Sequence, residues 1–389
     1  MNASLSRNVR PQSTGFPNYS NLIIYNSYIL FPLFSLINIF RNFIDILTIT
    51  FAVLACFHSH WNSRRIQIFA PLFAFSSLSI LYNLRSFFEV QNLDVVDILN
   101  DNKMVVYMLS VGLIFIRSGA PSVHAITTGG KFITFFLFMQ FALSGFSSRP
   151  IGSGETNYDA FLISLSILYR AFKNGRFERA DVYLFFGLLI TFSRTTLIAV
   201  CFSFAFMYLI GRVRINIFII IMAVAVLLGA TLFSFYMRGL DIDTDSFDRL
   251  YMYNSFVGLL ARSDVVQLLF GYPLGDVVPA ITPPELKWLW ESQVVDRSKF
   301  GVYPFLFHAF WLRLILNYGA VGVIAFLTAH AVFAARAVST LPLMLFYFLC
   351  GTTNGVYYLS NSGPPALLIL ASFVLVSGDV GEQNAVRRR

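Results

Sequence analysis

Hydrophobic runs separated by short polar breaks occupy most of this chain. The runs do not alternate apolar and polar residues as the strands of an outer-membrane barrel do, so they predict helices. A bilayer core takes about 20 residues of apolar helix. On that basis the pattern predicts twelve membrane spans, at approximately 22–40, 42–57, 66–82, 104–116, 131–146, 158–172, 182–193, 195–210, 215–236, 307–334, 341–359 and 365–377.

One long polar segment, residues 237–304, divides the chain into three predicted parts. Residues 1–236 hold nine spans, and residues 305–389 hold three spans and a polar tail. Within the polar segment, residues 246–270 predict an amphipathic helix lying on the membrane, and a turn follows at 271–275. The predicted fold class is therefore an all-α integral membrane protein with about twelve transmembrane helices and one large loop.

Composition supports the membrane interpretation and excludes several kinds of site. The chain is 57% hydrophobic and 12% charged, whereas a soluble domain has about 25% charged residues. Cys56, Cys201 and Cys350 lie inside apolar runs without CxxC spacing, so neither a disulfide framework nor a zinc site is indicated. In the polar break at 83–103, the spacing of Asp94, Asp97 and Asp101 predicts that all three lie on one face of a short solvated helix.

Lysine and arginine in the loops predict the orientation of the chain. If the long loop lies outside, the opposite side receives 16 of the 28 basic residues. Both termini are then cytoplasmic, and the loop faces the periplasm or the cell exterior. The net charge of +8 is explained by this topology rather than by nucleic-acid binding. The loop itself holds nine carboxylates and six cations, so its arginines are not a polybasic lipid-binding patch.

A few charged residues lie where chemistry at the outer surface would need them. Arg194 follows Ser193 in a tight turn between two spans, as a fixed cation or as an anchor that reaches the headgroups. Arg249 and Arg262, in the loop, are either ion-paired or reserved for an anion such as phosphate. His308 follows the loop and is either a general base or a packed residue.

Taken in order, these residues resemble the O-antigen ligase and Wzy-type polysaccharide polymerase superfamily. Ser193-Arg194 is similar to that family's Ser-Arg turn ahead of a large outer loop. Arg249, followed by Gly-Tyr-Pro-Leu-Gly at 271–275, is similar to the family's loop arginine and its Gly-x-Gly-type turn. The resemblance covers roughly residues 183–334.

The third matching part begins at His308. Gly319 and Gly322 follow it at eleven and fourteen positions, which is similar to the family's histidine, hydrophobic helix and closing Gly-x-x-Gly. The chain departs from the family at Ala309, where Asn is frequent, and at Asn317, where Glu is frequent.

The resemblance implies a GT-C-like polytopic glycosyltransferase. Such an enzyme transfers a glycan from an undecaprenyl diphosphate-linked repeat unit to an acceptor hydroxyl at the periplasmic face, with inversion and without a metal or cofactor. The implied catalytic residues are His308, Arg194 and Arg249. The implied substrate-binding residues are Arg262, Ser193 and Tyr303, of which Tyr303 would stack on a sugar ring.

Alternatives remain within and outside this class. An O-antigen ligase would move a finished glycan onto a lipid or protein acceptor, and the sequence does not separate it from a polymerase. Twelve spans also suit a transporter or flippase, but the chain shows no internal repeat, and Asp45 is an exception among otherwise apolar spans. A non-catalytic assembly protein is a third class. Membrane lipids, a chain-length regulator and a flippase are the expected partners, and nucleic acid is not.

Overall fold

The computed structural model describes residues 18–37, 43–57, 61–90, 95–146, 156–211, 248–280 and 302–387, together with residues 150, 152, 213 and 229. These residues form fifteen α-helices and no β-strand. In chain order the helices are α1 (Tyr19–Tyr25), α2 (Phe31–Ile37), α3 (Phe43–Cys56), α4 (Ser63–Glu89), α5 (Val95–Asp101), α6 (Lys103–Ser118), α7 (Val123–Leu143), α8 (Thr156–Asn174), α9 (Arg179–Ile190), α10 (Arg194–Leu209), α11 (Asp248–Leu260), α12 (Val265–Phe270), α13 (Phe310–Arg336), α14 (Leu341–Gly351) and α15 (Gly363–Arg387). The prediction of an all-α protein is confirmed for the described part of the chain.

Three of the described helices, α4, α7 and α13, are long and apolar enough to cross a membrane. A helix satisfies its backbone hydrogen bonds internally, as the interior of a bilayer requires. The described residues therefore support a helical membrane protein. Shorter apolar segments accompany the three long helices, at Phe43–Cys56, Arg194–Leu209, Val338–Gly351 and Gly363–Val376.

Eleven of the twelve predicted spans coincide, at least in part, with helices of the structure. The other, 215–236, lies outside the described residues except for residue 229. The first predicted span is interrupted by a π-helical segment, Asn26–Leu30, between α1 and α2. That segment precedes Pro32, which has no amide hydrogen to continue the α-helical ladder.

The main hydrophobic core is built around α8. All of its residues from Thr156 to Phe172 are buried except Tyr158, which is half-buried. Phe161 stacks on an aromatic ring of α14, and Phe172 stacks on Phe373 of α15 with ring centroids 3.8 Å apart. A helix that is covered on all sides lies inside the bundle, with α7, α9 and α10 packed against it.

The predicted outer loop has a smaller hydrophobic core of its own. Phe256 and Leu259 of α11 belong to it, together with Tyr303 at the far end of the loop. Val278 and Val302 form an antiparallel bridge with N···O distances of 2.8 and 2.9 Å. The chain therefore leaves this core and returns to it at adjacent points, while residues 281–301 lie outside the described part.

The amphipathic helix predicted at 246–270 is two helices in the structure, α11 and α12. The Asp264 carboxylate accepts a hydrogen bond from the Gln267 amide at 2.7 Å, and the Gln267 side chain accepts one from the Asp264 amide at 3.0 Å. This reciprocal capping box begins a new helix. The chain therefore changes direction before it reaches the turn at 271–275.

Candidate functional site

Residues 350–355, at the end of α14, are the place where several predicted site residues meet, and we call them the junction. The carbonyl oxygen of Asn354 accepts a hydrogen bond from the Phe310 amide at 3.0 Å. A Cβ added at Gly355 would lie 3.2 Å from the carbonyl oxygen of His308. His308 itself is half-buried in an extended segment just before α13. The junction therefore holds the backbone at His308 and just after it. The span predicted at 341–359 ends earlier, because these residues leave the helix to make such contacts.

Ser193 and Arg194 reach the junction from α10. The Ser193 hydroxyl hydrogen-bonds the Thr196 hydroxyl at 2.9 Å. Thr196 in turn hydrogen-bonds the thiol of Cys350, the first residue of the junction, and α10 packs along α14. Arg194 is the first residue of α10 and is half-buried. Two successive side-chain contacts thus fix the Ser-Arg turn against the junction.

The turn before Arg194 is tight because of its backbone geometry. Phe192 has φ 52°, in the left-handed region that residues other than glycine rarely adopt. The Thr191 hydroxyl accepts a hydrogen bond from the Ser193 amide at 3.2 Å and donates one to the Leu188 carbonyl oxygen at 2.6 Å. These bonds close the turn and set the direction in which α10 begins.

Arg249 belongs to α11, a helix that contacts the junction. The Tyr253 hydroxyl donates a hydrogen bond to the carbonyl oxygen of Thr352 at 2.6 Å. Arg249 lies four residues before Tyr253, in the first turn of α11. Positions i and i+4 share a helix face, so position 249 is on the face of α11 that docks on the junction.

Arg262 and Tyr303 are placed differently from the other predicted site residues. Arg262 is exposed just beyond the end of α11, about 13 Å from Tyr253 at 1.5 Å per helical residue. The side chain of Tyr303 is 2% exposed and packs in the loop core with Phe256. Its ring is therefore not presented to a sugar in this structure. Of the other predicted residues, Ser193 is linked to the junction through Thr196, and His308 contacts it through its backbone. Arg194 follows Ser193 directly, and Arg249 lies in the first turn of α11.

The glycine-containing turn after α12 packs against a kink in α13. Gly319 interrupts α13 with φ 60° and ψ −164°, and a Cβ added there would lie 2.5 Å from the Phe270 amide nitrogen. Gly271 meets the same kink, since a Cβ added to it would lie 2.6 Å from the Leu316 carbonyl oxygen. The Tyr272 amide donates a hydrogen bond to that oxygen at 2.7 Å. Two backbones touch here, which leaves no room for a side chain.

Polar side chains of α4 and α5 hold the same turn. The fully buried Asp101 carboxylate accepts a hydrogen bond from the Gly275 amide at 3.0 Å, and the Ser86 hydroxyl accepts one from the Leu274 amide at 2.8 Å. The expectation of a solvated face is therefore wrong for Asp101, because the turn covers its carboxylate. Asp94 lies outside the described residues.

Asn317 stands where the family that the motifs resemble often has Glu, and its side chain contacts the end of α5. Its side-chain amide is fully buried and donates a hydrogen bond to the carbonyl oxygen of Asp101 at 3.0 Å. The hydroxyl of the next residue, Tyr318, donates a hydrogen bond to the side-chain oxygen of Asn102 at 2.8 Å. The end of α5 is thereby tied to α13 about two turns after α13 begins. A neutral donor at 317 suits the backbone oxygen that it meets.

Arg313 is a buried cation near His308 that no motif marks. It lies five residues after His308 on α13 and is 5% exposed. Its guanidinium donates to the Asn100 carbonyl oxygen at 2.9 Å and lies 3.9 Å from the centre of the Tyr358 ring. None of the described carboxylates forms an ion pair with it. The signal that could have found it is an ionisable residue inside an apolar run.

Among the loop residues that the structure describes, Tyr272 has a shifted pKa. Burial raises the pKa of the Tyr272 hydroxyl, while its 2.7 Å hydrogen bond with Ser263 acts in the opposite direction. The hydroxyl therefore stays protonated at neutral pH. It can keep this bond, which links the break between α11 and α12 to the turn at 271–275.

Metal-ligating side chains do not cluster in the described part of the chain. Among its residues, no three His, Cys, Asp or Glu side chains lie close enough together to hold a metal ion. The acidic run at 241–245 falls outside that part.

A scan against protein-family models finds no match for this chain, and a search of curated proteins finds none either.

Proposed function

We propose that this chain is a membrane glycosyltransferase that polymerises a polysaccharide, with its active site at the junction. It would transfer a glycan from undecaprenyl diphosphate-linked repeat units to the hydroxyl of an acceptor sugar. The supporting observation is that the Ser193-Arg194 turn, Tyr253 of α11 and the backbone of His308 all border residues 350–355. Two arginines and one imidazole suit a diphosphate leaving group and an acceptor hydroxyl.

The proposed reaction is an inverting displacement. The acceptor oxygen attacks the anomeric carbon of the donor, and the bond between that carbon and the diphosphate oxygen breaks. Undecaprenyl diphosphate leaves with the bonding electron pair, and the acceptor proton passes to the imidazole of His308. Arg194 and Arg249 would stabilise the negative charge that develops on the diphosphate, which matters most where water is excluded. Neither a metal nor a cofactor enters this scheme.

The proposed arrangement in the cell follows from the charges of the loops. We place the junction at the periplasmic face of a bacterial inner membrane, with twelve spans and both termini in the cytoplasm. The excess of basic residues on the opposite side supports this orientation. Arg262 would then meet the lipid-linked substrate away from the reacting atoms. A flippase and a chain-length regulator would act before and alongside the enzyme.

Removal of the junction side chains tests the proposal. We expect Arg194→Ala, Arg249→Ala and His308→Ala each to lower polymer formation from purified lipid-linked repeat units by about 100-fold or more. His124→Ala and Arg336→Ala are matched controls, because both residues are exposed and lie away from the junction. All five variants should insert in the membrane at wild-type levels. Full polymer yield from the three junction variants would exclude this site.

The product that accumulates in cells lacking the chain separates the alternatives. Loss of a polymerase leaves single repeat units, whereas loss of a ligase leaves long chains on the carrier lipid. Purified protein that moves lipid-linked substrate across vesicles without joining repeat units would instead show a transporter. We expect single repeat units.

A further inference from the structure

An open groove of about 660 Å³ runs between α7 and α9, away from the junction. Two cations line it, Lys131 of α7 and Arg179 of α9. Thr128 also lines it, together with aromatic residues that include Phe135 and Tyr183. The volume is that of a small-molecule site. A groove with cations at one end and aromatic rings along its walls matches an amphipathic ligand with an anionic head.

The two helices run in the same direction and approach closely. Gly130 of α7 lies against Leu184 of α9, where an added Cβ would be 2.9 Å from the leucine side chain. Farther along, Gly187 of α9 lies against Thr134 of α7. Because the contacts advance together along both chains, the amino-terminal parts of α7 and α9 lie at the same end. Helical side chains lean toward the amino terminus, so Lys131 leans toward the level of Arg179.

Exposed apolar side chains continue from the groove toward the other end of both helices. Phe135, Phe138 and Phe186 are 54%, 38% and 48% exposed. The rings of Phe138 and Phe186 lie 6.3 Å apart, one from each helix. An apolar strip of this kind on a membrane protein faces acyl chains. The cations are therefore at the headgroup end of a lipid-facing surface.

Nearby carboxylates do not neutralise the two cations. Asp181 and Glu178 accept hydrogen bonds from the Arg170 guanidinium at 2.5 and 3.0 Å, and Arg176 forms a further ion pair with Glu178 at 3.4 Å. Neither Lys131 nor Arg179 forms a hydrogen bond or an ion pair with any residue that the structure describes. Their charge remains for a ligand.

We propose that this groove binds the phosphate headgroup of an anionic phospholipid, with the acyl chains along the aromatic strip. The positive charge selects an anionic headgroup over a zwitterionic one, as basic pockets between transmembrane helices do. A free phosphate would satisfy the cations but would leave the aromatic walls uncovered. On the predicted topology the lipid belongs to the cytoplasmic leaflet, opposite the proposed active site.

The test measures lipid retention by the full chain. Protein is purified from mixed micelles of phosphatidylglycerol and phosphatidylethanolamine, and the lipid that stays bound is counted by native mass spectrometry. The groove variant is Lys131→Gln with Arg179→Gln. The control is Lys173→Gln with Arg336→Gln, which removes one lysine and one arginine that do not line the groove.

We expect wild type and control to retain phosphatidylglycerol selectively, and the groove variant to retain it about 30-fold less, from about 1 kcal/mol per cation. The two single variants should show intermediate losses, which keeps the test valid if the double variant is poorly folded. Equal retention of the two lipids by wild type, or equal losses in groove and control variants, would overturn the proposal. Displacement of the lipid by excess inorganic phosphate would show a small-anion site and would also overturn it.

Discussion

The guanidinium of Arg313 is buried with a carbonyl oxygen and an aromatic ring as its closest partners. Asp101 attracts it only through space, without an ion pair. Removing a cation from water costs several kcal/mol, whereas a cation–π contact returns about 2 kcal/mol even when it is desolvated. Arg313 lies in the first turn of α13, five residues after His308, and its ring partner Tyr358 is three residues after the junction.

We predict that Arg313→Met leaves the protein more stable than Arg313→Lys. Methionine removes the buried charge, so that the main loss is the donor to the Asn100 carbonyl oxygen, about 1–3 kcal/mol. Lysine retains the charge and its desolvation cost, but cannot stack a planar group on Tyr358. Thermal unfolding of the purified variants in detergent measures the order. A lysine variant that is the more stable of the two would mean that the charge itself stabilises the fold.

The sequence could predict residues whose position alone suggests chemistry. Arg194 and His308 stand where an apolar run meets a polar break, and the structure places both beside the junction. Arg313 lies within an apolar run, and its burial depends on Asn100 and Tyr358, which only the folded chain brings to it. A single sequence does not contain such pairings.

Individual elements were predicted better than their contacts. The turn at 271–275 follows from its glycines and proline, and the structure places it after α12. The kink of α13 at Gly319 could not be predicted, because glycines such as Gly319 and Gly322 are tolerated inside a helical pattern. Its φ of 60° exists because α12 and the turn approach the backbone at that point. Kink and turn are therefore one structural unit.

We predict that Gly319→Ala loosens the loop from α13. Alanine at φ 60° is strained by about 1–3 kcal/mol, and its Cβ would also overlap the backbone at Leu269. Hydrogen exchange at the Tyr272 amide, which is bonded to Leu316, should increase. Gly258→Ala is the matched control, since a Cβ there meets only the end of the Arg262 side chain at 3.7 Å. That variant should keep wild-type exchange or gain about 1 kcal/mol of helix stability, and equal effects in both would exclude a role for the kink.

At the scale of the whole molecule, the junction joins parts of the chain that are far apart in sequence. Helices α10, α11 and α13 each contact residues 350–355. The contacts are made by Thr196, Tyr253 and Phe310, each of which is within four residues of a predicted site residue in sequence. The sequence predicts the helices from their hydropathy but extends the eleventh span to 359, whereas the helix ends at Gly351. Hydrogen bonds from Tyr253 and Phe310 use carbonyl oxygens of the junction instead.

The hydrogen bond that joins α11 to the junction can be tested by substitution. Tyr253→Phe removes one hydrogen bond, to the Thr352 carbonyl oxygen, worth about 1 kcal/mol. Amide exchange in the first turn of α11 should therefore rise about fivefold. Tyr251→Phe, two residues away on the same helix, is the control, because no described residue accepts a hydrogen bond from the Tyr251 hydroxyl. Unchanged exchange in Tyr253→Phe would mean that the loop core alone holds α11.

The same pair of variants separates positioning from folding in the proposed reaction. If α11 carries Arg249 to the diphosphate, Tyr253→Phe should slow polymer formation while the thermal stability of the helical bundle stays at the wild-type value, because the bundle core around α8 does not include α11. Tyr251→Phe should leave both quantities unchanged. A slower reaction that appears only together with a lower unfolding temperature would instead mean that the tyrosine acts through the fold as a whole. The junction would then be a structural contact, and the position of Arg249 would have to be fixed by other residues of the loop.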